Sequence, residues 1–346
     1  MISLVKKMLD KLANFVIKNA RFTGGRPIKV EEKLNRLPQG KPSLIPVAWP
    51  QLSVIRMNST YLECTNYHFG DKGFITMGGF WMLPIALSVP IFCLFALFND
   101  WSSATGSNFA GLLFACSGGI FMFTPLLALV IFVLKLENFT LTHFPMRFNR
   151  KTRMVHVFLE SEKGKILSIP WDDVFFTCST FGGLKIFGGG GCSVVGFKMS
   201  EDGETVEEAF ELADRNAWDS EYRFLQWEFV RQYMEGDEAK LRELANMVDY
   251  VQDVAEHRET LYASFMRTLA QYSGGYIHFM IISFPIVLLV TLGRQIAMWT
   301  CKIPRWPAEI EATCQYPAND PILRDAQHHL PRGTAIMPDV SRYAGR

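Results

Sequence analysis

The sequence predicts a membrane-embedded α-helical hairpin joined to a cytoplasmic α+β domain, with a third hydrophobic helix near the C-terminus. Three observations predict it. Two uncharged apolar runs, 78–98 and 109–134, are separated by ten mostly polar residues. Short segments rich in β-branched and aromatic residues follow, and after them apolar residues recur at helical spacing. The composition agrees, since 49% hydrophobic residues and 28 Phe in a 346-residue chain exceed what one soluble core needs.

Residues 1–77 form a basic N-terminal region, with twelve Lys and Arg against five Asp and Glu. Within it Val5, Met8, Leu9, Leu12, Phe15 and Val16 fall at three-and-four spacing, and Lys6, Lys7, Lys11 and Lys18 lie largely elsewhere on the wheel. Such a helix either rests on anionic lipid headgroups or packs on its own domain. From Gly24 to Pro50 five prolines prevent a long helix, so this stretch reads as a linker.

The hairpin occupies 78–136. About 20 apolar residues suffice to cross the hydrocarbon core as a helix, and both runs reach that length. Pro84, Pro90 and Pro125 do not exclude this, because neighbouring groups in a membrane bundle re-satisfy the freed carbonyls. Lys and Arg stay on the cytoplasmic side. Arg56 and Lys72 precede the first run, Lys135, Arg147, Arg150, Lys151 and Arg153 follow the second, and the connecting loop carries only Asp100. Both ends are therefore expected in the cytoplasm, with the loop in the periplasm.

Residues 137–235 read as a β-rich domain closed by a helix. Strands are expected at 139–144, 154–159, 166–170 and 193–197, with turns at 149–152 and 161–164. Trp218, Tyr222, Leu225, Phe229 and Tyr233 then share one helical stripe. A helical connector, 236–275, carries Leu241, Leu244, Met247, Val251, Val254, Leu261, Phe265 and Leu269. Several strands followed by one helix is similar to a pleckstrin-homology-like barrel in element order alone, which licenses no phosphoinositide binding. The third membrane segment, 276–299, is divided by Pro285, and Arg294, Lys302 and Arg305 flank its exit. Its length favours a crossing, which would put the Pro-rich tail, 300–346, on the far side. The charge bias favours a re-entrant helix that returns the tail to the cytoplasm.

No residue constellation marks an enzyme, a cofactor site or a metal site. The glycines at 182–183 and 188–191 lack the following Lys-Ser/Thr of a phosphate loop and precede a strand. Asp172 and Asp173 are adjacent, and on a strand neighbours point to opposite faces. Nothing in the sequence places Cys178 or Cys192 beside His143 or His156 to build a thiol nucleophile. His278, at a span entrance, reads as interfacial, and His328-His329 as a solvated pair. Seven scattered cysteines read mostly as free thiols. A net charge of +1 points to no nucleic-acid partner.

Further features carry a resemblance. They are Thr142-His143-Phe144-Pro145, the run Arg147-Phe148-Asn149-Arg150-Lys151-Thr152, Pro170-Trp171-Asp172 with Val174-Phe175-Phe176, the turn Asp202-Gly203-Glu204-Thr205, Trp227-Glu228-Phe229, and Trp306-Pro307-Ala308-Glu309. Through them the chain, from the first apolar run to about Cys314, resembles uncharacterised proteobacterial membrane proteins often encoded near type VI secretion effector genes. The resemblance implies a multi-pass protein of the bacterial inner membrane and an immunity or accessory role beside a secreted effector, by protein binding. It assigns no catalytic residues. Trp171, Phe175 and Phe176 are the candidate partner-binding anchors, with ordinary core as the alternative for each. A membrane scaffold or sensor that recognises lipid or a partner protein is the second expectation.

Overall fold

The computed structural model describes residues 24–43, 45–66, 68–100, 106–159, 164–181, 191–212, 223–248, 250–273 and 277–328. The expected N-terminal helix over 1–22, the glycines at 182–190 and Trp218 and Tyr222 lie outside the described residues.

Among the described residues the strands form two antiparallel sheets. A two-residue strand, β1 (Arg26–Pro27), belongs to the second sheet, and the first has five strands that pair successively in chain order, β2 (Val54–Met57), β3 (Tyr61–Thr65), β4 (Pro145–Asn149), β5 (Met154–Leu159) and β6 (Lys165–Pro170). The β4–β5 turn falls over 150–153, with the Thr152 amide donating to Asn149 Oδ1 at 3.0 Å and Arg153 at φ 53°. The strand expected at 139–144 begins instead at Pro145. A proline lacks the ladder N–H and suits a first strand position, and 140–142 is engaged elsewhere, Thr142 N donating to Lys302 O at 2.8 Å.

The second sheet runs β1 (Arg26–Pro27), β9 (Thr205–Glu211), β8 (Gly191–Met199), β7 (Val174–Phe181). A short helix α1 (Val30–Leu34) and the following residues lie along β7, where Leu37 N donates to Phe176 O and Cys178 N to Asn35 O. The supposed linker is thus part of the sheet's covering. Gly196 of β8 sits beneath the Phe210 ring, which occupies the space a Cβ would need. Asp172 and Asp173 form a 3-10 turn, not a strand, and Cys178 is disulfide-bonded, not a free thiol. Both outcomes depend on how β7 is positioned, which spacing in the sequence does not show.

Helix α5 (Arg223–Glu235) fills the space between the sheets with Trp227, Phe229, Val230 and Tyr233. Helix α6 (Glu238–Met247) follows, its start capped by Asp237 accepting from the Lys240 amide at 2.9 Å. The expected helical connector is broken after Met247, because 250–254 runs along the edge of the first sheet, with Gln252 N donating to Val54 O.

Between β3 and β4 come α2 (His68–Asp71), α3 (Phe74–Asp100) and α4 (Gly106–Glu137). Gly79 lies against Leu134, and Gly119 against Val89 and Cys93, so α3 and α4 run antiparallel along their length. Helices α7 (Leu261–Ser273) and α8 (Ile277–Thr300) pair the same way, with Gln295 bonded to Ser264 and the rings of Phe265 and Phe284 at 6.2 Å. A final short helix, α9 (Ala308–Thr313), returns to the first sheet.

Candidate functional site

Among the described residues three helical stretches are long and apolar enough to cross a membrane: Phe69–Asn99, Ala110–Glu137 and Ile281–Thr300. Only 11% and 6% of the best apolar window in the first two is buried, against 44% in the third. Phe92, Phe95, Phe98, Phe114, Phe121 and Met122 stand exposed on the pair. An aqueous surface of that extent is costly, at roughly 25 cal/mol per Å² of apolar area left in water. The helices extend past the sequence-predicted runs, to Phe74 and to Glu137, because polar groups at the base cap them.

At that base the carboxylate of Glu137, ending α4, satisfies the opening amides of α3. It accepts from Gly73 N at 2.5 Å, Thr76 N at 2.6 Å and Thr76 Oγ1 at 2.5 Å. An anion at a helix N-terminus also meets the positive end of its macrodipole. Asn138 Nδ2 donates to Thr76 Oγ1, and Thr300 Oγ1 of α8 donates to Asn138 Oδ1, so three helix ends share one network. Beside it the Arg294 guanidinium is 1% exposed. It donates to Glu259 at 2.6 Å and to the carbonyl of Phe69 at 2.7 Å, with its plane over the Phe69 ring. Arg258 donates to the carbonyls of Met298 and Cys301, closing the C-terminus of α8.

A second polar centre fastens the segment after α8 to the first sheet. Arg147 on β4 pairs with Glu63 on β3 at 3.0 Å and with Glu311 on α9 at 3.2 Å. Its guanidinium lies between the Tyr61 ring at 4.4 Å and the Trp306 ring at 4.7 Å, and Trp306 Nε1 donates to the same Glu63. Burial opposes the charge on Arg147, but neighbouring Glu63 offsets this and raises its pKa. Burial pushes the Tyr61 phenol up to about 12. Asn149 donates to the Thr313 carbonyl, and Met57 and Arg324 exchange main-chain bonds. Residues 302–324 are therefore packed on the soluble sheet. Helix α7 brings the chain up beside α8, so α8 has a returning partner that the apolar run alone did not reveal.

His143 is buried where α2 meets the sheet, its Nδ1 at 3.0 Å from Thr142 Oγ1. Burial, and secondarily Lys72, push its pKa down to about 3. The unfolded chain, with an ordinary histidine, binds a proton at higher pH than the folded one. Stability present above about pH 6.5 is then lost as the pH falls toward 3. Melting temperature measured from pH 7 to 4 is expected to fall less for His143→Phe than for the wild type. Parallel profiles would refute this assignment.

The three candidate anchors separate. Trp171 and Phe176 are fully buried, Trp171 stacking on Trp227 at 5.8 Å and Phe176 on Trp227 at 4.5 Å. Trp171 Nε1 also donates to Glu235 at 2.6 Å. Both are core and present no surface to a partner, because the 3-10 turn and β7 direct them inward against α5. Phe175 points to the other face, half-buried beneath the Arg36 guanidinium at 5.0 Å. His278 lies within α8, and His328 in a 3-10 turn. Among the described residues no group of three His, Cys, Asp or Glu is arranged to hold a metal ion. Sequence reasoning missed the Glu137 cap and the Arg147 sandwich. Their partners lie 61 to 243 residues apart, and only the Trp306-Pro307 motif hinted at either.

Comparison with curated proteins and with solved structures finds no match. A family described as one of unknown function, DUF6708, matches residues 123–317, from the middle of α4 through α9. That span holds Glu137, Arg147, Arg294 and Trp306 together, and on it the chain belongs to the DUF6708 family.

Proposed function

We propose that the chain is a multi-pass protein of the bacterial inner membrane that acts by protein binding, as the immunity or accessory partner of a type VI secretion effector. The observation that supports the membrane part best is the insertion of α3 and α4 between two neighbouring strands. Tyr61 pairs with Asn149 and Thr65 with Pro145, so both ends of the apolar hairpin meet in one sheet. A bilayer crossed twice returns the chain to the side it left. With α7 and α8 as a re-entrant pair, since the 13 residues of α7 are too few to cross, the N-terminal region, both sheets and the tail share the cytoplasmic side. Two sheets closed by α5 fit a pleckstrin-homology-like barrel carrying a membrane hairpin as an insertion. The effector association rests on the resemblance of the motifs, with Phe175 as the remaining candidate anchor.

The topology has a direct test. Single cysteines at Glu201 and Glu309 are expected to be shielded from an impermeant thiol reagent in intact cells, and one at Asn99 to react. Native Cys314 reports nothing here, because it is buried. Labelling of Glu309→Cys but not Glu201→Cys would refute the shared side. For the function, co-expression with the neighbouring toxin is expected to restore growth, and Phe175→Ala to weaken protection. Unchanged killing would end the immunity reading. The scaffold or sensor reading predicts no protection but retention of a cytoplasmic partner.

A further inference from the structure

Near their base helices α3 and α8 come into backbone contact, which Gly73 and Gly293 allow. Next to this contact lies an apolar groove of about 380 Å³, walled by Met77, Trp81 and Pro84 on one side and Leu289, Leu292 and Ile296 on the other. The volume falls within the roughly 300–1,000 Å³ of small-molecule sites. Its lining is almost wholly apolar, and Trp81 and Leu292 are 58% and 56% exposed.

The foot of the groove has a different character. Phe74 and Trp299 continue the two walls at spacings of three residues from Met77 and Ile296, and both are exposed. Exposed Phe139 and Tyr262 lie at the same level, since Glu137 binds Gly73 and Arg258 binds Met298 O and Cys301 O. Aromatic rings at one height mark the headgroup region of a bilayer. Lys302 emerges immediately beyond Trp299, its backbone bonded to Thr140 and Thr142. Lys302, Arg305 and Lys135 are exposed, and no ion pair engages them among the described residues.

From this arrangement we infer that the α3–α8 groove holds one acyl chain of an anionic phospholipid, with its headgroup against Lys302 and Arg305. The inference rests on the membrane reading above. The occupant follows from the two ends of the site: a hydrocarbon-compatible cleft opens onto an aromatic and cationic rim. Two acids at this level, Glu137 and Glu259, are turned inward to Gly73, Thr76 and Arg294 and do not face the rim. A membrane-surface cation of this kind attracts anionic lipid with about 1 kcal/mol per charge.

The full-length protein, purified in detergent and passed through nanodiscs of equal phosphatidylglycerol and phosphatidylcholine, is to be examined by native mass spectrometry. Wild type is expected to retain phosphatidylglycerol at least about fivefold over phosphatidylcholine, following the charge attraction. Leu292→Trp, which fills the groove from an exposed position, is expected to lose retained lipid at unchanged helicity. Lys302→Gln with Arg305→Gln is expected to retain lipid without preference between the two headgroups. Equal lipid on wild type and Leu292→Trp overturns the inference, as does a wild-type groove cross-linked to the helix of a second copy. Recovery of the protein in the soluble fraction would instead refute the membrane reading. An integral membrane protein that retains no lipid refutes the groove alone.

Discussion

Replacing Arg147 by alanine is expected to destabilise the folded protein by about 3–5 kcal/mol, the range for removing one partner of a buried ion pair. Glu63 would be left buried with only Trp306 Nε1 of its two side-chain donors. The sandwiching rings of Tyr61 and Trp306 would also lose the plane between them, and with it a desolvated cation–π contact of about 2 kcal/mol that overlaps the first cost. The damage is expected to be local in kinetics. The segment 302–324 is held to the sheet through this centre, so limited proteolysis should cut near α9 sooner in Arg147→Ala than in wild type. Arg147→Lys is expected to recover little, because a lysine cannot bridge Glu63 and Glu311 or stack between two rings. Denaturant midpoints equal to wild type would show that the rings and main-chain bonds suffice without the charge.

Arg294→Leu is expected to cost a similar 3–5 kcal/mol, with a different signature. Arg294 ties α8 to Glu259 at the start of α7 and to the carbonyls that end α2, all without solvent contact. Its loss strands the buried Glu259 carboxylate without the guanidinium that donates to it. The double variant Glu259→Leu/Arg294→Leu removes both charges and is expected to recover most of the loss, since a buried pair replaced by apolar groups is often neutral. Thermal denaturation of the detergent-solubilised proteins measures the cycle. A double variant no better than the single one would locate the stabilisation in the Phe69 carbonyl and ring contacts instead.

The two predictions concern residues that the sequence treated unequally. Arg294 was visible as a charge at the exit of an apolar segment, a bias that favours a re-entrant helix. Length argued the other way, because an apolar run of that size is compatible with a lone crossing. Helix α7 was legible as a helical pattern through Leu261, Phe265 and Leu269, but its pairing with α8 was not, because that depends on contacts such as Gln295 with Ser264. The turn at 149–152, the β5 and β6 strands and the start of β8 followed from β-branched runs and turn residues, which are local properties. Strands β2 and β3 did not, because they lie before the hairpin and acquire a partner only when β4 returns from it.

Aromatic residues show the same division. Trp171, Phe175 and Phe176 are near neighbours in a sequence with 13% aromatic content, and nothing local distinguishes a surface anchor from core. The structure separates them by a 3-10 turn and by strand alternation, sending Trp171 and Phe176 onto Trp227 and Phe175 beneath Arg36.

The sequence by itself determined the apolar hairpin, the antiparallel β-rich region and the helix that follows it, because length, uncharged composition and period act within 20 residues or so. Only the tertiary structure decided that the hairpin interrupts a sheet, that α8 has a returning partner, and that the tail rejoins the soluble domain. Each of these depends on contacts such as Glu63 with Trp306 or Thr76 with Glu137, whose energy appears only after distant segments have been brought together.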